Sequence, residues 1–186
     1  MNEEKNNEKQ QNRILSDNEI LFAKVKESAI IPAKKEENAG YDIYPCFEES
    51  YYYIAPHKTV MVPTGIACAL HPKWYFQVEE RGSTGSKGIK KSAGVVDSGY
   101  RGEIFIAITN TNKDALVISK LSPGDTLKLV REEHYYHNLV YYPYEKAIAQ
   151  LVLHEVPVMK TVEVSYEELL KVPSERGTGK LGSSGV

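Results

Sequence analysis

The sequence predicts an all-β domain, a distorted jelly-roll or β-barrel-like sandwich, on three observations. Short segments alternate apolar and polar residues with the period of a half-buried strand. Turn-forming residues punctuate them: Asn38 to Gly40, Pro45, Pro56, Pro63 to Gly65, Gly99 and Pro123 to Asp125. One stretch alone, SYEELLK, carries a helix start, with Ser165 and Glu168 spaced as a capping box. About ten short strands and at most one short helix fit a sandwich or barrel.

Residues 1–18 are rich in Glu, Lys, Asn and Gln and have almost nothing to bury, so a disordered tail is expected there. The β domain is expected over 19–172. ILFAKVK sets Leu21, Ala23 and Val25 on one face, and WYFQVE does the same with Trp74, Phe76 and Val78. EIFIAITN holds a continuous apolar run from Ile104 to Ile108, as does IAQLVL from Ile148, and both read as strands buried on two faces. VMKTVEV repeats the strand-like alternation later. The connection over 111–147 is long, and its Tyr/His-rich centre, REEHYYHNLVYYPY, reads as an extra hairpin or as local aromatic packing. Residues 173–186 end in RGTGKLGSSGV, too rich in Gly and Ser to pack alone, and read as a flexible arm.

The chain has 186 residues, 41% apolar and 26% charged, in keeping with one globular domain. A net charge of −2 gives no electrostatic reason for a nucleic-acid or membrane partner. Cys46 and Cys68 belong to no zinc-ligand spacing and read as core thiols of a reducing compartment. With a polar N-terminus unlike a signal peptide and no apolar run of membrane-spanning length, a cytoplasmic protein is expected.

Three segments carry more glycine and polar residues than strand connection needs. In Ala39-Gly40-Tyr41-Asp42-Ile43 an Asp follows a Gly turn at the mouth of a strand, where it can hold a hydrated metal or simply close the turn. In Glu80-Arg81-Gly82-Ser83-Thr84-Gly85-Ser86-Lys87-Gly88, small residues admit an anion to the backbone while Arg81, Lys87 and hydroxyls supply donors. A plain surface loop is the other reading, and the order is not that of a P-loop. Gly94-Val95-Val96-Asp97-Ser98-Gly99-Tyr100-Arg101-Gly102-Glu103 reads as a hairpin with a Ser-Gly turn. Asp97, closing an apolar run, suits a partly buried general base, and Tyr100 can offer a ring face to a sugar.

Taken in order, AGYDI, RGSTGSKG, GVVDSGYRGE, IAQL and the terminal RGTGKLGSSG resemble the five motifs of the trimeric dUTPase family, from about residue 21 to the C-terminus. The resemblance implies hydrolysis of dUTP to dUMP and pyrophosphate, limiting uracil in DNA and supplying dUMP for thymidylate synthesis. It implies that Asp97 deprotonates a water attacking the α-phosphorus in line, and that Asp42 holds Mg²⁺ through water. Arg81, Gly82 and Ser83 would contact phosphates, with Gln150 beside them. Gly94, Val95, Val96 and Asp97 would meet the uracil edge, and Tyr100 the deoxyribose. Arg176, Leu181, Gly182 and Ser183 would belong to an arm closing over the nucleotide. The implied assembly is a homotrimer with shared active sites.

The sequence departs from that pattern at Gly82 (usually Ser), at Lys180 and Leu181 (usually Gly and an aromatic), and at Glu145-Lys146-Ala147 (usually Gly-Asp-Arg). Two rival readings are a dCTP deaminase, which uses a Glu where this chain has Ala107, and a catalytically weakened regulatory trimer acting through the Tyr-rich insertion.

Overall fold

Twelve short strands follow one another in the computed structural model, which describes residues 13–134 and 138–179. They are β1 (Ile20–Lys24), β2 (Gly40–Ile43), β3 (Tyr51–Ile54), β4 (Thr59–Pro63), β5 (Ile66–Leu70), β6 (Trp74–Glu79), β7 (Ile89–Lys91), β8 (Val95–Val96), β9 (Phe105–Asn110), β10 (Ala115–Ser119), β11 (Leu139–Pro143) and β12 (Ala149–Glu155). Three helices accompany them: α1 (Gly82–Gly85), α2 (Pro123–His134) and α3 (Tyr166–Leu170). The chain divides into two units, 1–156 and 157–186, and the first holds all the strands.

Four sheets result, with orders β1-β5, β11-β10-β3, β2-β12-β6-β8 and β4-β9-β7. Every pairing is antiparallel except β10 with β11. Each sheet sends apolar side chains into one core, including Ile43, Phe76 and Leu151 from one sheet, Val62, Ile106 and Ile108 from another, Ile54, Leu116 and Ile118 from a third, and Ile66 from the fourth. This is the sandwich expected of the alternating pattern, jelly-roll-like and without a closed barrel. Burying a hydrophobic face from every sheet is what makes such short strands stable.

Several expectations are met in detail. β6 buries Phe76 and Val78 in alternation, β9 buries Ile106, Ala107 and Ile108 consecutively, and both cysteines are buried free thiols. α3 has its capping box, with Ser165 Oγ accepting from Glu168 N at 3.2 Å and Ser165 N donating to the Glu168 carboxylate at 3.0 Å. No helix among the described residues is long and apolar enough to cross a membrane. Of the tail expected over residues 1–18, residues 1–12 lie outside the described part.

Three expectations are corrected. The segment around Val158–Val164 forms no strand and is exposed, because its alternation meets no partner to cover it. The 111–147 connection holds β10, α2 and β11, with the two strands paired in parallel, not an extra hairpin. The start of α2, Ser122-Pro123-Gly124-Asp125, carries turn residues that also serve as a helix cap. Pro123 takes the first helical position, and Ser122 Oγ accepts from Asp125 N at 3.2 Å while donating to its carboxylate at 2.7 Å. The 94–103 segment is not a ladder either: β8 pairs with β6, and the chain reaches β9 through a turn closed by Tyr100 N donating to Asp97 O.

Asn110, at the end of β9, is fully buried and ties three chain segments together. Its amide donates to Ile54 O at 3.1 Å and Asp114 O at 2.9 Å, and its Oδ1 accepts from Asn112 N at 3.0 Å. Asn110→Ala strands these buried groups without water. The expected result is a loss of about 2–4 kcal/mol in urea unfolding; a loss under about 0.5 kcal/mol would show that they find other partners.

Candidate functional site

Arg81 stands at the N-cap of α1, and the reciprocal hydrogen bonds of that single turn fix its backbone. Thr84 N donates to Arg81 O at 3.0 Å, and Arg81 N donates to Thr84 Oγ1 at 3.0 Å, with Thr84 buried. From there the guanidinium reaches β2 and grips Asp42 in two places, Nε to Oδ1 at 2.9 Å and Nη2 to Oδ2 at 3.1 Å. Nη1 donates to Ala147 O at 3.3 Å. This planar fork-to-carboxylate match holds Arg81 in one orientation.

β12 brings the fourth motif alongside. Gln150 pairs in register with Asp42 on one side and Glu79 on the other, and its Nε2 donates to Glu80 O at 2.9 Å. Its side chain lies across Gly40, where a Cβ would fall 2.7 Å from Gln150 Oε1 and 2.9 Å from its Cβ. Glycine is required there so that β2 and the Gln150 side chain can approach. Gly40, Asp42, Arg81, Gly82, Ser83 and Gln150 line one cleft of about 540 Å³, together with Glu37, Asn38 and Ala39. Gly82 departs from the family pattern without steric cause, since a Cβ there would meet nothing within 4 Å.

A second pocket, of about 250 Å³, opens at β8. Gly94, Val95, Val96, Asp97 and Tyr100 line it, with Met61, Val78, Glu103 and Phe105 among the remaining walls. β8 is the edge strand of its sheet, so one side of its backbone has no strand partner. Tyr100 donates its hydroxyl to Glu103 O at 3.0 Å, which holds its half-exposed ring at the rim. The ring leaves no room for a side chain at Gly102, where a Cβ would sit 2.5 Å from the Tyr100 oxygen. Asp97 is exposed, contrary to the partial burial expected, because β8 is only two residues long and Asp97 already begins the turn.

The two hollows share no lining residue. Arg176 falls in the C-terminal unit, exposed, with Nε donating to Gly179 O at 3.2 Å. Leu181, Gly182 and Ser183, and Lys180 with them, lie outside the described residues.

No group of three or more His, Cys, Asp or Glu side chains able to enclose a metal occurs among the described residues. Asp42 nevertheless fits the water-mediated role implied for Mg²⁺. Each of its oxygens accepts one Arg81 N–H and keeps acceptor capacity for a metal-bound water.

Sequence reasoning missed several members of these sites. Met61 and Phe105 wall the second pocket from β4 and β9, where each reads as an ordinary strand residue. Ala147 contributes through its carbonyl, which no side-chain pattern can reveal. Tyr142 donates its hydroxyl to that same carbonyl at 2.7 Å, whereas the sequence suggested an extra hairpin or local packing for the aromatics around it.

Comparison with known proteins identifies the family. The dUTPase family model matches residues 26–122. The chain is 34% identical over 135 residues to the deoxyuridine 5'-triphosphate nucleotidohydrolase of Gloeobacter violaceus, covering 71% of this chain and 73% of that protein. It is 30% identical over 171 residues to the enzyme of the same name from Legionella pneumophila, covering 89% and 93%. In fold it resembles a mutant of the Staphylococcus bacteriophage 80alpha dUTPase with dUpNHpp, at a TM-score of 0.62 and 22% identity over 91% of this chain and 99% of that one. On this match of motifs, sequence and fold, the chain belongs to the dUTPase family.

Proposed function

We propose that this chain is a dUTP diphosphatase, hydrolysing dUTP to dUMP and pyrophosphate with Mg²⁺, and working as a homotrimer in the cytoplasm. The observation that carries this reading is the pair of hollows of opposite character. One is a polar cleft built on Asp42, Arg81, Ser83 and Gln150, suited to a polyphosphate. The other is a more apolar slot along an open strand edge, suited to a nucleoside. No residue lines both, and in the proposed homotrimer the phosphate and nucleoside sites for one substrate would come from different subunits.

In the slot, the outer edge of β8 and the residues flanking it complement uracil, whose N–H lies between two carbonyl acceptors. Cytosine reverses part of that pattern and is disfavoured. The Tyr100 ring lies against deoxyribose, where a 2′-hydroxyl would crowd it. In the cleft, Arg81 and Ser83 donate to phosphate oxygens, and Gln150 adds a polar contact. Mg²⁺, held through water by Asp42, supplies charge neutralisation on the triphosphate. Asp97 takes a proton from the water that attacks the α-phosphorus in line. The 173–186 arm, including Arg176, Leu181, Gly182 and Ser183, closes over the bound nucleotide. The physiological outcome is less uracil in DNA and a supply of dUMP for thymidylate synthesis.

Deamination of dCTP has less support. The position that would need a carboxylate is Ala107, buried in β9, while the nearby Glu103 carboxylate accepts from Gly65 N at 2.7 Å. The deciding assay measures pyrophosphate and ammonia from dUTP, dCTP, dTTP and UTP, with and without Mg²⁺. Pyrophosphate from dUTP alone is expected; ammonia from dCTP at a comparable rate would overturn the proposal. Truncation after Val172 is expected to cut turnover on the order of a hundredfold with the unfolding midpoint unchanged. Unaltered turnover in that variant would remove the arm from the mechanism.

A further inference from the structure

Tyr142 lies near the end of β11, in the long connection that the sequence left as an extra hairpin or local aromatic packing. Its ring is buried, with 1% of the residue exposed, and packing alone would be served equally well by Phe. The hydroxyl reaches across the following turn to donate to Ala147 O at 2.7 Å, clamping the segment that leads into β12. Arg81 Nη1 donates to the same oxygen at 3.3 Å.

The donor inventory gives that carbonyl its importance. A guanidinium has five N–H groups. Asp42 takes one from Nε and one from Nη2, and Ala147 O takes one from Nη1. The other N–H groups lie on the terminal nitrogens, where the Tyr142 oxygen is a further partner of the guanidinium, and their direction depends on where Ala147 O holds the fork. Ser83 and Lys87 converge on the same phenol. Burial pushes the Tyr142 pKa up, while the Ser83 hydroxyl and the Arg81 guanidinium act against that rise. The Lys87 ammonium sits 5.7 Å from the centre of its ring.

We propose that Tyr142 is a positioning residue of the phosphate cleft, its hydroxyl fixing the Ala147 carbonyl against which Arg81 is braced. This rests on the reading of the Asp42–Arg81 cleft as a phosphate site. The ligand it prepares for is the pyrophosphate portion of a nucleoside triphosphate, and the nucleoside slot is untouched by it.

The test is Tyr142→Phe, which keeps the ring and removes only the hydroxyl. Binding of inorganic pyrophosphate with Mg²⁺ and binding of deoxyuridine are each measured by calorimetry on the full chain. Pyrophosphate affinity is expected to fall roughly tenfold, the scale of one buried hydrogen bond, with deoxyuridine affinity within about twofold of wild type. In turnover of dUTP the loss falls on KM more than on kcat. Added to Arg81→Ala, the substitution produces no further loss, since its effect passes through that side chain. Equal weakening of both ligands, no weakening of pyrophosphate, or an additive loss on top of Arg81→Ala would each overturn the assignment. A wild-type protein that binds no pyrophosphate would overturn it together with the phosphate reading. A wild-type protein that binds pyrophosphate but leaves dUTP intact would refute the proposed activity, while the comparison of variants still decides the role of Tyr142.

Discussion

Asp97→Asn is expected to lower kcat for dUTP on the order of 10²–10⁴-fold, the usual contribution of a positioned general base. The substitution is isosteric and removes only the ability to take a proton. Asp97 is exposed in the single chain and its carboxylate supports no core packing, so neither folding nor assembly should suffer. Its backbone carbonyl, which accepts from Tyr100 N at 3.1 Å, is unchanged and keeps the turn closed. Affinity for a non-hydrolysable dUTP analogue should therefore stay near wild type while pyrophosphate release stops. Wild-type turnover in the variant would dismiss Asp97 as the base. A parallel collapse of analogue binding would make it a binding residue instead.

Arg81→Ala is the second large effect. It removes the guanidinium charge and donors proposed to meet phosphate, and the partner that orients Asp42. Charge-assisted hydrogen bonds contribute about 1.5–3 kcal/mol each, so kcat/KM is expected to drop on the order of 10²–10⁴-fold. Arg81→Lys should recover little of this. A lysine can meet one oxygen of Asp42 but cannot hold both and still reach Ala147 O, because it lacks the planar fork. The folded state should change less than activity does, since both partners of the Asp42 pair keep about a third of their side-chain surface in water. Steady-state kinetics and thermal unfolding of the two variants check these statements together. A loss under about tenfold in the alanine variant would rule Arg81 out as a principal phosphate ligand.

The contrast between α2 and α3 shows how far local pattern reaches. Ser165 and Glu168 form the capping box their spacing announces, because both hydrogen bonds lie within one turn of chain. Ser122-Pro123-Gly124-Asp125 is chemically as good a helix start, yet the same residues open turns, and nothing in those four positions separates the outcomes. What separates them is farther away: Thr126 and Val130 bury one face of α2, and the Thr126 hydroxyl meets Ser119 at 2.8 Å. The Val158–Val164 stretch is the reverse case, a strand-like alternation with no sheet to join.

The sequence by itself determined the sandwich class, the positions of its strongest strands, the cap of α3, the absence of a zinc-type ligand pattern and the order of the five motifs. Each of these follows from side-chain periods and spacings a few residues long. Tertiary structure alone decided which groups meet. Arg81 closes on Asp42 from 39 positions away and on Ala147 O from 66, and Tyr142 arrives at that oxygen from a strand whose identity local pattern did not disclose. It also decided that Asp97 is exposed and that β8 is an open edge, since both depend on which strands pair. Strand periodicity is a property of neighbours along the chain, whereas register and convergence are set by packing between sheets, where a backbone carbonyl can matter as much as any side chain.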